Sequence, residues 1–185
     1  MIIPISGPHG AGKSTLMQRL TEYSEKIIVY PEKNLTFPKI SDKVYERQKA
    51  RILKYYFEEL DYKNYEQEDK ILLVGRCFYD AIAYTQAFFN LGWIDEEQFN
   101  NLNLVTEAIF PKKPEKIIVL NPSLDTLQRQ IQSRWKIQEK KWREDDFQYL
   151  AEVYNQFEIM KNNDLYLSDE PLEEKILKAK LWLEI

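Results

Sequence analysis

Short, almost wholly apolar runs alternate along this chain with longer stretches whose apolar residues return every three or four positions. The runs are Ile2–Ile5, Ile27–Tyr30, Ile71–Val74, Ile117–Leu120 and Leu165–Leu167. Strands covered by helices on both faces read this way, because neither side of the pleat meets water. The longer stretches read as helices. Residues 42–60 set Tyr45, Ile52, Tyr56 and Leu60 at near-helical spacing. Asp95, with Gln98 three places on, has the pattern of a helix start and leads into Phe99, Leu102, Val105 and Ile109. Pro111 and Pro114 end that helix. Asn121-Pro122 reads as a cap and a first-turn proline for a helix through Arg134, and Asp169 to Pro171 opens the last helix in the same manner. Such alternation predicts a parallel sheet with right-handed crossovers. Pro4 lies in the first strand, where it removes a ladder donor, so a local break in pairing is expected there.

Between the first run and its helix, residues 7–14 read Gly-Pro-His-Gly-Ala-Gly-Lys-Ser. A glycine, four residues and Gly-Lys-Ser between a strand and a helix is the pattern of a phosphate-binding P-loop. Gly7, Gly10 and Gly12 let the backbone turn successive N–H groups onto an anion, and the helix from about Lys13 through Thr15 to Leu20 adds its positive end. In that reading Lys13 reaches the β- and γ-phosphates and the Ser14 hydroxyl holds Mg²⁺. The loop residues Pro8, His9 and Ala11, and Thr15 after them, contribute backbone, and the His9 side chain is assigned no chemistry. The expected fold is a three-layer α/β/α architecture of the P-loop NTPase type, with five parallel strands and a helical lid.

Composition narrows the picture. The 185 residues suit a single domain, 1–185. No apolar run approaches the roughly 20 residues of a membrane span. The chain opens directly into a strand, so no signal peptide is expected and the cytoplasm is the default. One cysteine, Cys77, and one histidine exclude an intrachain disulfide and argue against a zinc site. A net charge of −4 argues against a nucleic-acid partner. Cations for a polyphosphate must therefore be concentrated locally.

In a parallel sheet, ligands bind beyond the carboxyl ends of the strands. The second run ends in Tyr30-Pro31-Glu32, and the Glu32 carboxylate either accepts a proton from an attacking hydroxyl or is a solvated loop residue. The third ends in Gly75-Arg76, which sets Arg76 where charge develops in phosphoryl transfer. Asp80 either reaches the same area or caps the helix that begins there. Arg129, Arg134, Lys136, Lys140, Lys141 and Arg143 fall within fifteen positions. They mark a lid at about 129–145, with Arg129 or Arg134 closing on the triphosphate. Arg47 and Arg51, one helical turn apart, suit an acceptor phosphate or, more ordinarily, a solvated face. Cys77 reads as a small buried hydrophobe.

With these landmarks placed, the chain resembles the deoxynucleoside kinase and thymidylate kinase superfamily. The likeness rests on Gly-Ala-Gly-Lys-Ser-Thr-Leu-Met-Gln-Arg-Leu from Gly10, on Pro31-Glu32, and on Arg76 with Tyr79 and Ala83-Tyr84. It continues through Leu91-Gly92-Trp93-Ile94, through Pro114 to Leu120 with Arg129 and Arg134, and through Asp146-Phe147 to Tyr154. The tail from Leu165 to Glu174 is similar to the last strand and helix of the group. The resemblance implies Glu32 as general base, Arg76 and a lid arginine on the transferring phosphoryl group, and a homodimer. Gly75 stands where the family places an Asp or Glu, and the Arg-Glu-Pro element of thymidylate kinases is replaced by Tyr30-Pro31-Glu32-Lys33.

The expected activity is ATP- and Mg²⁺-dependent phosphorylation of a nucleoside or nucleoside monophosphate, with Lys13, Glu32, Arg76 and Arg134 as the catalytic set. Glu32 favours a nucleoside, because a hydroxyl must lose a proton and a phosphate need not. The competing readings are a nucleotide-sensing switch, which Gly75 favours, and a P-loop kinase of another small metabolite.

Overall fold

Each of the five apolar runs forms a strand, and the boundaries differ from the expected ones by no more than one residue. The computed structural model describes residues 1–31, 43–110, 114–137, 139–140, 142–162 and 165–185. The strands are β1 (Ile2–Ser6), β2 (Ile27–Val29), β3 (Ile71–Gly75), β4 (Ile118–Leu120) and β5 (Leu165–Leu167). They pair in parallel in the order β2-β3-β1-β4-β5. The strand leading into the glycine loop is thus central, and its Ile3 and Ile5 are fully buried, as are Leu73, Val74, Ile118 and Val119 beside them.

Pro4 does not interrupt β1, and the ladder shows why. The carbonyls of Met1 and Ile5 accept from Leu72 and Arg76 on the β3 side. Because groups alternate sides along a strand, the Pro4 nitrogen faces β4. There, pairing begins only at Ile5 with Ile118. The expected break is confined to that side and coincides with a place where β4 offers no partner.

The helices are α1 (Lys13–Tyr23), α2 (Val44–Tyr62), α3 (Phe78–Asn90), α4 (Glu96–Ile109), α5 (Leu124–Trp135), α6 (Phe147–Glu158) and α7 (Leu172–Leu183). One face of the sheet buries Leu16 and Leu20 of α1 with Ile176, Ala179 and Leu183 of α7. The other buries Ile52, Tyr84, Phe88, Leu102, Tyr149 and Phe157 from α2, α3, α4 and α6. The aromatics of 79–110 therefore build core.

Three expected details are corrected. The α2 stripe is out of phase: Gln48, Ile52, Tyr55, Glu58 and Tyr62 face inward, while Leu60 is exposed. Gln48 is buried because its amide donates to the Ala81 carbonyl and the Thr85 hydroxyl, both at 3.0 Å, which ties α2 to α3. Secondly, α5 starts two residues late, with Ser123 as its N-cap. The Asn121 amide instead donates to the Tyr154 carbonyl, Glu158 and the Tyr166 hydroxyl. Thirdly, Asp169 does not cap α7, whose N-cap is Pro171. Its carboxylate accepts from the Ser123 N–H at 3.0 Å and so caps α5 across the fold. The Asp95–Gln98 capping box forms as expected.

Tyr149 lies at the centre of the α3–α6 packing, fully buried, and among the described residues its hydroxyl has no hydrogen-bond partner. A buried hydroxyl without a partner costs about 1–3 kcal/mol. We expect Tyr149→Phe to leave the fold intact and to raise the Tm. A Tm several degrees lower would show that the hydroxyl is bonded in solution.

Candidate active site

The carboxyl ends of β1, β2 and β3 open onto one crevice of about 1240 Å³. Its floor is the glycine loop. A Cβ at Gly7 would lie 2.1 Å from the Leu120 carbonyl oxygen, and one at Gly10 would lie 2.6 Å from Ile131. Glycine at these positions lets the loop seat against β4 and α5. Among the described residues, the peptide N–H groups of Gly10, Gly12 and Ser14 have no acceptor. They stand at the start of α1, where an anion is favoured. Ala11 is buried and its N–H returns to the Pro8 carbonyl at 3.4 Å. The Lys13 ammonium folds over the loop and donates to the carbonyls of Gly7 and Pro8, each at 2.7 Å. Ser14 and Thr15 are exposed at the first turn, and both line the crevice.

Behind the loop, Asp80 joins the two central strands. Fully buried, it accepts from the Ser6 hydroxyl at 2.5 Å and the Cys77 N–H at 3.0 Å through one oxygen. Its other oxygen accepts from the Gly7 N–H at 3.4 Å and from Arg76 at 3.2 Å. Of the two expected alternatives, the cap is realised. Cys77 is buried and touches the Ser6 hydroxyl at 3.2 Å, and burial pushes its thiol up to about 12. It stays a neutral thiol across the physiological range.

Arg76 follows Gly75 with a φ of +79°, a left-handed conformation that costs a non-glycine residue about 1–2 kcal/mol. That turn brings its guanidinium back over Asp80 and into the crevice. There it meets the Tyr84 hydroxyl at 3.4 Å and His9 Nδ1 at 3.2 Å. Among the described residues, a Cβ on Gly75 would meet only Met17, at an ordinary 3.5 Å, so none of them demands glycine there. Among the described residues, no cluster of three or more His, Cys, Asp or Glu side chains suits a metal ion.

On the β3 side, Arg47, Arg51 and Lys54 line the crevice from one stripe of α2. The solvated-face reading of Arg47 and Arg51 is therefore corrected; their spacing of four, continued by Lys54 three further on, was the available signal. Arg51 lies over the Tyr84 ring at 4.8 Å. Tyr55 closes the wall, and burial pushes its hydroxyl upward. Tyr30 carries β2 to the rim, and Glu32 lies outside the described residues. On the β4–β5 side stand Arg129, Arg134 and Lys175. Arg129 bonds Thr126 at 3.1 Å. Arg134 is held by the buried carboxylate of Glu144, which also accepts from Trp135 Nε1 at 3.1 Å. Lys175, absent from the sequence reading, is a buried first-turn lysine of α7, and burial draws its ammonium downward. A lysine in a helix that also carries Lys178 and Lys180 has no local mark that would have singled it out.

Comparison with known proteins follows this geometry. The deoxynucleoside kinase family profile matches residues 3–173. No curated protein sequence matches the chain. Among solved structures, deoxyadenosine kinase from M. mycoides with the products dCMP and a flexible dCDP bound superposes with a TM-score of 0.77 at 18% identity, covering 100% of this chain and 99% of the other. The same enzyme with dATP bound gives 0.75 at 15% identity over 100% of both chains. With dCTP bound it gives 0.67 at 18%, over 100% and 99%.

Removing the Asp80 carboxylate strips the half-buried Arg76 guanidinium of its counter-charge and takes the acceptor from the Gly7 and Cys77 N–H groups and the Ser6 hydroxyl. We expect Asp80→Ala to cost about 3–5 kcal/mol of unfolding free energy in urea. A loss below about 1 kcal/mol would deny Asp80 its place as the tie between β1 and β3.

Proposed function

The chain belongs to the deoxynucleoside kinase family, and from that premise we propose that it transfers the γ-phosphoryl group of ATP to the 5′-hydroxyl of a deoxynucleoside. The observation that carries this reading is the continuity of the crevice. The glycine loop with its acceptor-free N–H groups and a second half framed by Arg76 and α2 share one space. A nucleotide-sensing switch has no use for that second half.

In the proposed reaction the 5′-oxygen attacks the γ-phosphorus, the bond to the β–γ bridging oxygen breaks, and ADP leaves. The hydroxyl proton goes to Glu32, which comes three residues after β2 in the sequence. Lys13 exchanges its contacts with the loop carbonyls for the β- and γ-phosphates. Arg76 faces the junction between donor and acceptor and neutralises charge that develops there. Ser14 would hold Mg²⁺, which supplies charge neutralisation on the β- and γ-oxygens. Residues 129–145 serve as the lid, with Arg129 and Arg134 as its cations. Arg134 reaches the triphosphate by leaving Glu144 or by moving with it. A cytoplasmic homodimer of one-domain subunits accompanies this reading.

A second acceptor class has a specific observation behind it. The Arg47, Arg51 and Lys54 stripe opens into the acceptor half, as a nucleoside monophosphate would require. ADP release measured against a panel of deoxynucleosides and their monophosphates separates the two. Stimulation by a deoxynucleoside is expected, and stimulation by monophosphates alone would overturn the nucleoside reading. Lys13→Ala should lower turnover by about a hundredfold or more with an unchanged Tm; near-normal turnover would defeat the assignment. Glu32→Gln should lower kcat for the nucleoside by about a hundredfold while ATP binding holds. Equal turnover would remove Glu32 as base.

A further inference from the structure

His9 is the chain's single histidine and sits third in the glycine loop, where the peptide group rather than the side chain faces a bound phosphate. Its ring turns across the crevice. Nδ1 lies 3.2 Å from Arg76 Nη2, and the ring centre lies 5.4 Å from that of Tyr84 at a 60° tilt. The Arg76 guanidinium sits 5.4 Å from the same Tyr84 ring. Its other terminal nitrogen is committed to Asp80 and the Tyr84 hydroxyl. Two partners on one nitrogen and one on the other fix the plane of the guanidinium, and His9 supplies the third.

We infer that His9 is a positioning residue that holds Arg76 in register with the phosphate-binding loop. An arginine has only donors, so Nδ1 must be the acceptor and the ring proton must sit on Nε2. The residue that carries the donor loop's third peptide group thereby sets the orientation of a cation at the acceptor. The link joins positions 67 residues apart in the chain. Arg76 needs it because its own backbone is held in a left-handed conformation. Relaxation of that φ would swing the guanidinium out of the crevice. The inference rests on the phosphoryl-transfer reading for its kinetic consequences and on geometry alone for its tautomer.

The test uses the full chain and two independent readouts. His9→Ala should lower kcat about tenfold to a hundredfold, the range for losing a hydrogen bond to a charged group. The KM for ATP should stay within about twofold, because the loop N–H groups remain. In His9→Asn the amide oxygen takes the place of Nδ1 and should restore most of the lost turnover. Combined with Arg76→Lys, His9→Ala should add little further loss. A raised KM for ATP with kcat kept, or an Asn variant no better than Ala, would overturn the inference. Long-range ¹⁵N–¹H spectra of the ring at pH 8.5, simple to assign with one histidine, should show Nδ1 without a proton. A proton on Nδ1 would overturn it as well. Because the spectra need no turnover, that result would overturn the inference even if no deoxynucleoside is phosphorylated.

Discussion

The carboxylate of Asp80 is the point on which the site hangs. A parallel sheet brings strand ends near one another but does not lock them, since the loops that leave them have no ladder to hold them. Here one buried side chain at the first turn of α3 takes a hydroxyl and an N–H from the end of β1, an N–H from the end of β3, and a guanidinium from the residue between. The glycine loop, the strained Arg76 backbone and the start of α3 are thereby one rigid piece. Each bond is charge-assisted, and the Asp80 carboxylate that accepts them all is fully buried.

Around that piece the charge of the molecule is sorted. The chain carries a net −4, yet eight lysine and arginine side chains line the crevice against the carboxylates of Glu58 and Glu170. Like charges gathered in a partly buried space repel one another and lower the stability of the fold. Arg51 lies over the Tyr84 ring and donates to the Gln48 side-chain oxygen at 3.2 Å, and Arg47 lies over Trp142. A π-face orients a cation without neutralising it, which leaves its charge available to an incoming polyanion. Acidic partners stand against Lys54, by Glu58, and against Arg76 and Arg134, by Asp80 and Glu144.

Much of this was legible in the sequence. The strands stood out because both faces of the sheet are covered, so their apolar runs are unbroken. The glycine loop stood out because backbone geometry dictates its residues. The failures share one cause, which is that a local rule lost to a distant partner. Asn121 follows the cap pattern but spends its amide on α6 and Tyr166. Asp169 caps a helix 46 residues upstream instead of its own. The α2 stripe was misphased because Gln48 and Glu58 are buried polar groups and Leu60 is an exposed apolar one, so hydrophobic period pointed to the wrong face. His9 was invisible for the same reason, since its partner lies on another strand end.

The contacts of Glu144 and Arg143 have an optical consequence. Trp135 donates to the carboxylate that holds Arg134. Trp142 lies between the guanidinium groups of Arg47 and Arg143, and Arg143 also rests on Trp93. Three of the four tryptophans therefore report on the segment between α5 and α6, while Trp182 sits apart on α7 beneath Lys116. A guanidinium over an indole and a carboxylate at its nitrogen both shift the excited state. The protein's own fluorescence is thus weighted toward the surroundings of that segment, and rearrangement there can be followed in real time without a label.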